Sequence, residues 1–203
     1  MSKKKIAVGP QKIEAPTVPV RERYAPVGQG VDLYARMRSM PRADNCRYTY
    51  ESIVEMIDRS DPERIYSHID MSPEYQRPVV WTETQQSMFV GHLLDGGECP
   101  KIYINQRRDV HDVPSEIIDG KQRLTAIYRW VKGEIPAVCS DGATIWYRDT
   151  NAIDRRSLWL ELWMVDLPVA DRLRFYQRLN RGGTVHTRDE IAKVEAMLEK
   201  VQG

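Results

Sequence analysis

The chain has 203 residues, a formal net charge of +1 and 41% hydrophobic residues, a length that suits one domain of ordinary size and a hydrophobic share somewhat low for a compact one, as expected if a first segment lies outside the core. Near-neutral overall charge predicts no partner, and no stretch approaches the length of a membrane-spanning helix. The distribution of charge says more than its sum.

Up to Arg42 the chain carries nine Lys or Arg against Glu14, Glu22 and Asp32. Five prolines (Pro10, Pro16, Pro19, Pro26 and Pro41) share that segment with Gly28 and Gly30. Such a stretch buries little apolar surface, so residues 1–44 are expected to form a disordered basic arm ahead of a domain over 45–203. No apolar run follows Lys3, Lys4 and Lys5, so the arm does not read as a secretory signal. Either it is a solvated tail or it contacts a phosphate backbone, where clustered cations gain from counterion release.

Thr49 to Asp58 places Ile53, Val54 and Ile57 on one face of a short helix. Ile65 to Met71 is ambiguous between a helix end and a strand. Pro78 then limits regular structure around Pro73-Glu74-Tyr75-Gln76-Arg77-Pro78-Val79-Val80-Trp81, which reads as an extended loop. Thr82 and Gln85 have capping-box spacing for a helix carrying Met88, Phe89, Leu93 and Leu94, stopped by Gly96-Gly97. Lys101 to Asn105 alternates as a strand, and Arg107 to Pro114 is a charged loop.

Ile117-Ile118-Asp119-Gly120-Lys121-Gln122-Arg123 is the most informative segment. Two apolar residues lead into an Asp-Gly turn that opens directly into a helix with Leu124, Ile127, Tyr128 and Val131 on its apolar face. The unpaired amides of a first helical turn, with the helix dipole behind them, attract anions. Lys121 and Arg123 oppose that dipole, which calls for a compensating anion such as phosphate. A plain surface turn is the alternative. Asp119, at the strand end, suits a proton or a divalent cation.

Beyond it, Ala137–Cys139 and Thr144–Tyr147 read as a hairpin around Asp141-Gly142. Trp159 to Val165 reads as a buried strand, and Val169 to Leu179 as a helix broken at Gly182-Gly183. Thr187 and Glu190 cap a last helix to about Lys200. Cys46, Cys99 and Cys139 have no metal-binding spacing, and they are expected to be buried structural thiols of a cytoplasmic protein.

The Gln76-Arg77-Pro78 segment, the Asp119–Arg123 turn and Arg178-Leu179-Asn180-Arg181-Gly182-Gly183-Thr184 together, in this order, closely resemble the ParB/sulfiredoxin-like family typified by the small-subunit domain of GmrSD-type restriction systems. There the blocks run approximately QRPyvW, DGQQR and RLNxGGT, and Lys121 stands where the family has Gln. The resemblance covers roughly residues 45 to 200. It implies an α+β fold, a compact mixed sheet with flanking helices, and a site for nucleotide binding and triphosphate hydrolysis.

On that basis Asp119, Lys121 and Arg123 are the expected catalytic residues. Gln76, Arg77, Gly120, Gln122, Asn180, Arg181 and Gly182 are the expected nucleotide and phosphate contacts. The cofactors expected are a nucleoside triphosphate (ATP, GTP or CTP) and Mg²⁺, the latter at Asp119. His186 and Glu116 are secondary candidates for a base. DNA is the expected partner of the arm and cleft, with a nuclease or modification protein alongside. Two alternatives stay open: a kinase phosphorylating a hydroxymethylated DNA base, and a non-catalytic DNA-binding or regulatory subunit.

Overall fold

A computed structural model describes residues 41–110, 113–180 and 188–202. The arm therefore lies outside the described residues, apart from its last few positions.

The first strand, β1 (Asp44–Thr49), pairs antiparallel with a later strand and hands over at once to helix α1 (Tyr50–Asp58). Thr49 makes the handover, because its hydroxyl accepts the Ser52 N–H at 3.1 Å and caps the helix. A 3₁₀ segment (Pro62–Ser67) and a two-residue strand, β2 (Ile69–Asp70), follow, so both readings of 65–71 hold in part. The loop over 73–81 leads to α2 (Glu83–Leu94), β3 (Ile102–Asn105), β4 (Ser115–Asp119) and α3 (Lys121–Val131). The chain continues through the small hairpin β5 (Ala137–Val138) and β6 (Thr144–Ile145), then α4 (Ala152–Ser157) and β7 (Trp159–Val165). It finishes with α5 (Val169–Asn180) and α6 (Arg188–Gln202). Thr187, the expected cap of α6, falls outside the described residues.

The main sheet has the order β1-β7-β3-β4-β2. β1/β7 and β3/β4 run antiparallel while β7/β3 and β4/β2 run parallel, so the sheet is mixed and the fold is α+β. Helices cover both faces. Ile53, Val90, Leu124, Ile127 and Trp130 from α1, α2 and α3 pack on Ile102, Ile104, Ile117 and Leu162 of one face. Leu173, Phe175 and Val194 from α5 and α6 pack on Ile118 and Val165 of the other. Ile117 and Ile118 are neighbours in the chain yet enter opposite cores, as the two-residue period of a strand requires.

Two details differ from the sequence reading. Met88 is exposed, and the inward face of α2 instead carries Gln86, Ser87, Val90 and Gly91. Gln86 is tolerated there because its amide donates to the Trp81 carbonyl at 2.9 Å and accepts from Arg129 at 2.8 Å. Gly91 lies against the hairpin so closely that a Cβ would fall 1.9 Å from the Val138 carbonyl oxygen. Among the cysteines only Cys139 is buried; Cys99 is half-buried and Cys46, on the edge strand β1, is exposed. Among the described residues no helix is long and apolar enough to cross a membrane.

Candidate functional site

The site is built on the junction of β4 and α3. Gly120 occupies the junction with φ +101° and ψ 10°, the left-handed region that favours glycine. A Cβ there would also meet Ile102 Cγ1 at 2.8 Å, so steric fit and backbone conformation make the same demand. Without a side chain, Gly120 gives α3 no cap hydrogen bond. The first helical bond runs from the Leu124 N–H to the Gly120 carbonyl at 2.9 Å, which leaves the N–H groups of Lys121, Gln122 and Arg123 as first-turn donors.

The charged residues of the turn are held from within. Asp119 Oδ1 accepts the Gly120 N–H at 2.8 Å, and Oδ2 accepts Arg123 Nη2 at 2.8 Å. Arg123 Nη1 donates to the Lys101 carbonyl at 3.1 Å, so its guanidinium ties the turn to the start of β3. Lys121 is largely buried, and its Nζ reaches Ser72 Oγ at 3.5 Å. Burial pulls the Lys121 ammonium below its ordinary pKa, with Asp70 pulling the other way.

The Gln-Arg-Pro loop is bolted onto this junction. Because β2 pairs only with Ser115 and Glu116, the edge of β4 beyond them needs other partners. Tyr75 OH donates to the Ile117 carbonyl at 3.1 Å, and Gln76 Nε2 donates to the Ile117 and Ile118 carbonyls at 3.1 and 2.7 Å. Gln122 fastens the other end of the loop. Its Oε1 accepts the Val80 and Trp81 N–H groups at 2.9 and 3.1 Å, and its Nε2 donates to the Pro78 carbonyl at 3.2 Å. Trp81 then packs edge-on against Phe89, with ring centroids 5.3 Å apart.

Loop, turn and α5 enclose a cleft of about 360 Å³. Gln76 and Arg77 line it from the loop, Asp119 to Arg123 from the turn, and Tyr176, Leu179 and Asn180 from α5. The three motif blocks thus converge, as far as they are described. Arg181, Gly182 and His186 lie outside the described residues. Asn180 spends its amide N–H on the Tyr176 carbonyl at 2.9 Å. Arg77 makes no ion pair among the described residues, unlike Arg123, Arg129 and Arg172.

Glu116 does not line this cleft. It shares a face with Ile118 and pairs with Arg172 of α5 at 2.7 Å, next to Tyr75. Burial raises its pKa while Arg172 opposes the rise. Sequence reasoning missed Tyr176, whose hydroxyl burial pushes up to about 12 despite the nearby Arg77. Its signal was its place four residues before Asn180, on the same helical face.

The donor set does not by itself make a metal centre. Both oxygens of Asp119 already accept hydrogen bonds, one from a cation, and among the described residues no three His, Cys, Asp or Glu side chains converge. A Mg²⁺ ion here would be held mainly by phosphate oxygens and water.

No curated protein and no solved structure matches the chain significantly. The family model of the N-terminal domain of GmrSD restriction endonuclease matches residues 53–164. That range contains the whole Gln-Arg-Pro loop, the Asp-Gly turn and α3, while the Asn180 block lies beyond it. With more than half of its length matched by that model, the chain belongs to the family of GmrSD restriction endonuclease N-terminal domains.

Proposed function

We propose that this domain binds a nucleoside triphosphate by its phosphates in the 360 Å³ cleft and performs phosphoryl chemistry, hydrolysis or transfer, within the restriction-system context of its family. The observation that carries this reading is the uncapped first turn of α3 opening on the same cleft as Arg77, an arginine with no ion pair among the described residues. Backbone amides and one guanidinium make a strong binding set for phosphate oxygens.

In this reading the N–H groups of residues 121–123 and Arg77 take the phosphates. Lys121 and Arg123 supply positive field from behind the turn. Asp119, fixed by Arg123 and the Gly120 N–H, is the one carboxylate of the turn that can orient an attacking water. Phosphoryl transfer asks mainly for positioning and charge neutralisation, which such a set provides. Mg²⁺ arriving with the triphosphate supplies further neutralisation.

The test is phosphate release from ATP, GTP and CTP with Mg²⁺, run without DNA, with plain DNA and with hydroxymethylated DNA. Label transfer to the DNA is followed in parallel and separates hydrolysis from base phosphorylation. Arg77→Ala is expected to lower turnover by about 100-fold, the usual cost of one lost oxyanion donor, with stability unchanged. Turnover equal to wild type would remove Arg77 from the site. A second reading, a non-catalytic DNA-binding subunit, draws on the excess of cations before residue 43. It predicts no turnover with any nucleotide, and DNA binding whose salt dependence weakens when residues 1–42 are deleted.

A further inference from the structure

A second cleft, of about 730 Å³, opens at the same end of the sheet and is the larger of the two. It shares Pro100 with the phosphate cleft as a common wall, and its lining includes Trp159, Trp163, Lys101, Glu98 and Glu161.

Strand register fixes the spacing of the two clefts. Tyr103 of β3 lies opposite Asp119 of β4 on one side and opposite Trp163 of β7 on the other. Asp119 and Trp163 are therefore level with each other and two strand spacings apart, roughly 10 Å. Lys101 lines the larger cleft and is tied to the smaller one through Arg123. Its carbonyl holds Arg123 at 3.1 Å, while its Nζ sits 3.7 Å from the centre of the Trp163 ring.

The chemistry of the larger cleft suits a heterocyclic ring. Trp163 is half-buried; the Lys101 ammonium lies over its ring on a flexible stem, and Tyr103 packs against it at a tilt with ring centroids 6.3 Å apart. Trp159 is less available, because Arg47 lies 4.0 Å over it and is itself paired with Glu161. Glu98 offers an acceptor for ring amino or imino groups, Glu161 has both oxygens engaged by Arg47 and Asn45, and Lys101 is a donor. A base exchanging places with that ammonium would leave Lys101 free to turn toward a phosphate on the far side of Pro100. The cation–π contact given up is a weak one at an exposed site.

We propose that the cleft over Trp163 holds the base of the same nucleoside triphosphate whose phosphates lie on the 119–123 turn. This rests on the phosphate reading above and adds to it where the base goes, which residue stacks on it and which residue moves.

The experiment is calorimetric titration of the full chain with inorganic tripolyphosphate, with ATP, GTP and CTP, and with a short single-stranded oligodeoxynucleotide. At least one nucleoside triphosphate should bind between about 5-fold and 100-fold tighter than tripolyphosphate, the usual worth of one base–aromatic stack. Trp163→Leu should erase that advantage and leave tripolyphosphate affinity unchanged, which also certifies the fold. Should Trp163→Leu lose tripolyphosphate binding as well, Trp163→Phe takes its place and must keep tripolyphosphate affinity while reducing the advantage.

Nucleotides binding no tighter than tripolyphosphate, or an advantage that survives loss of Trp163, would overturn the base assignment with the phosphate site intact. Failure of tripolyphosphate and nucleotides alike would overturn both. Trp163-dependent binding of the oligonucleotide without binding of mononucleotides would assign the cleft to a DNA strand instead, against this proposal.

Discussion

Helices α2 and α3 both start beside the 73–81 loop, joined through Gln122, and they begin in opposite ways. α2 closes its own N-terminus: the Thr82 hydroxyl accepts the Gln85 N–H at 3.2 Å and the Gln85 amide oxygen accepts the Thr82 N–H at 2.8 Å. α3 begins on Gly120, which has no side chain to offer. The nearest acceptor in sequence, Asp119, turns its carboxylate to the Gly120 N–H and to Arg123, leaving the first-turn donors uncapped. One helix start is completed by the sequence that forms it. The other has no side chain of its own to close it, and the cleft lies in front of it.

The strongest way to break this contrast is to give α3 a side chain at its start. Gly120→Ala combines a left-handed backbone with a Cβ 2.8 Å from Ile102 Cγ1. It should destabilise the fold by roughly 3 kcal/mol, from backbone strain and overpacking together. The midpoint of urea denaturation reads this directly, and a shift smaller than that of Thr82→Ala would show the turn to be looser than described.

Thr82→Ala makes α2 resemble α3 and should cost about 1 kcal/mol. Because Thr82 does not line the cleft in front of α3, tripolyphosphate affinity should be unchanged; a large change would mean that the two helix starts are coupled.

The smallest effect is expected at Lys121, and it is a matter of pH. Burial lowers the pKa of this lysine in the folded state, while the unfolded chain keeps the proton until about pH 10.4. Between the two values the unfolded state binds more protons, so the contribution of Lys121 to stability rises with pH across that window. Lys121→Met should flatten the rise relative to wild type, and parallel denaturation curves for the two proteins from about pH 8 to 10 would refute it.

Local signals in the chain were read correctly where the physics is local. The Thr82–Gln85 box, the Asp-Gly turn and the strand Trp159–Val165 depend on residues within a few positions of each other. β1 was missed because Asp44, Asn45 and Cys46 have little intrinsic strand tendency, and its six pairings come from β7, more than a hundred residues away. The inward face of α2 was misjudged for a similar reason, since Gln86 is buried on account of Arg129 and Trp81, which periodicity does not see.

At the site, residue types were legible and their division of labour was not. Gln76 and Gln122 read from sequence as ligand contacts. In the fold their amide groups bind carbonyls and N–H groups some forty residues away and fix the loop to the turn. Arg123 and Arg77 read alike as phosphate cations, but only Arg123 has a carboxylate four residues before it, at the end of β4, to pair with. Trp163 and Lys101 carried no motif at all, because what relates them to Asp119 is strand register across three strands.

The missing side chain at Gly91 has a consequence for divergence. At that point α2 rests on the Val138 carbonyl with no side chain between the two backbones. Any larger residue at 91 forces the hairpin outward by more than an ångström. Relatives that carry a side chain there should therefore have lengthened, shifted or lost the 137–145 hairpin, and hairpin length should vary together with this one position across the family.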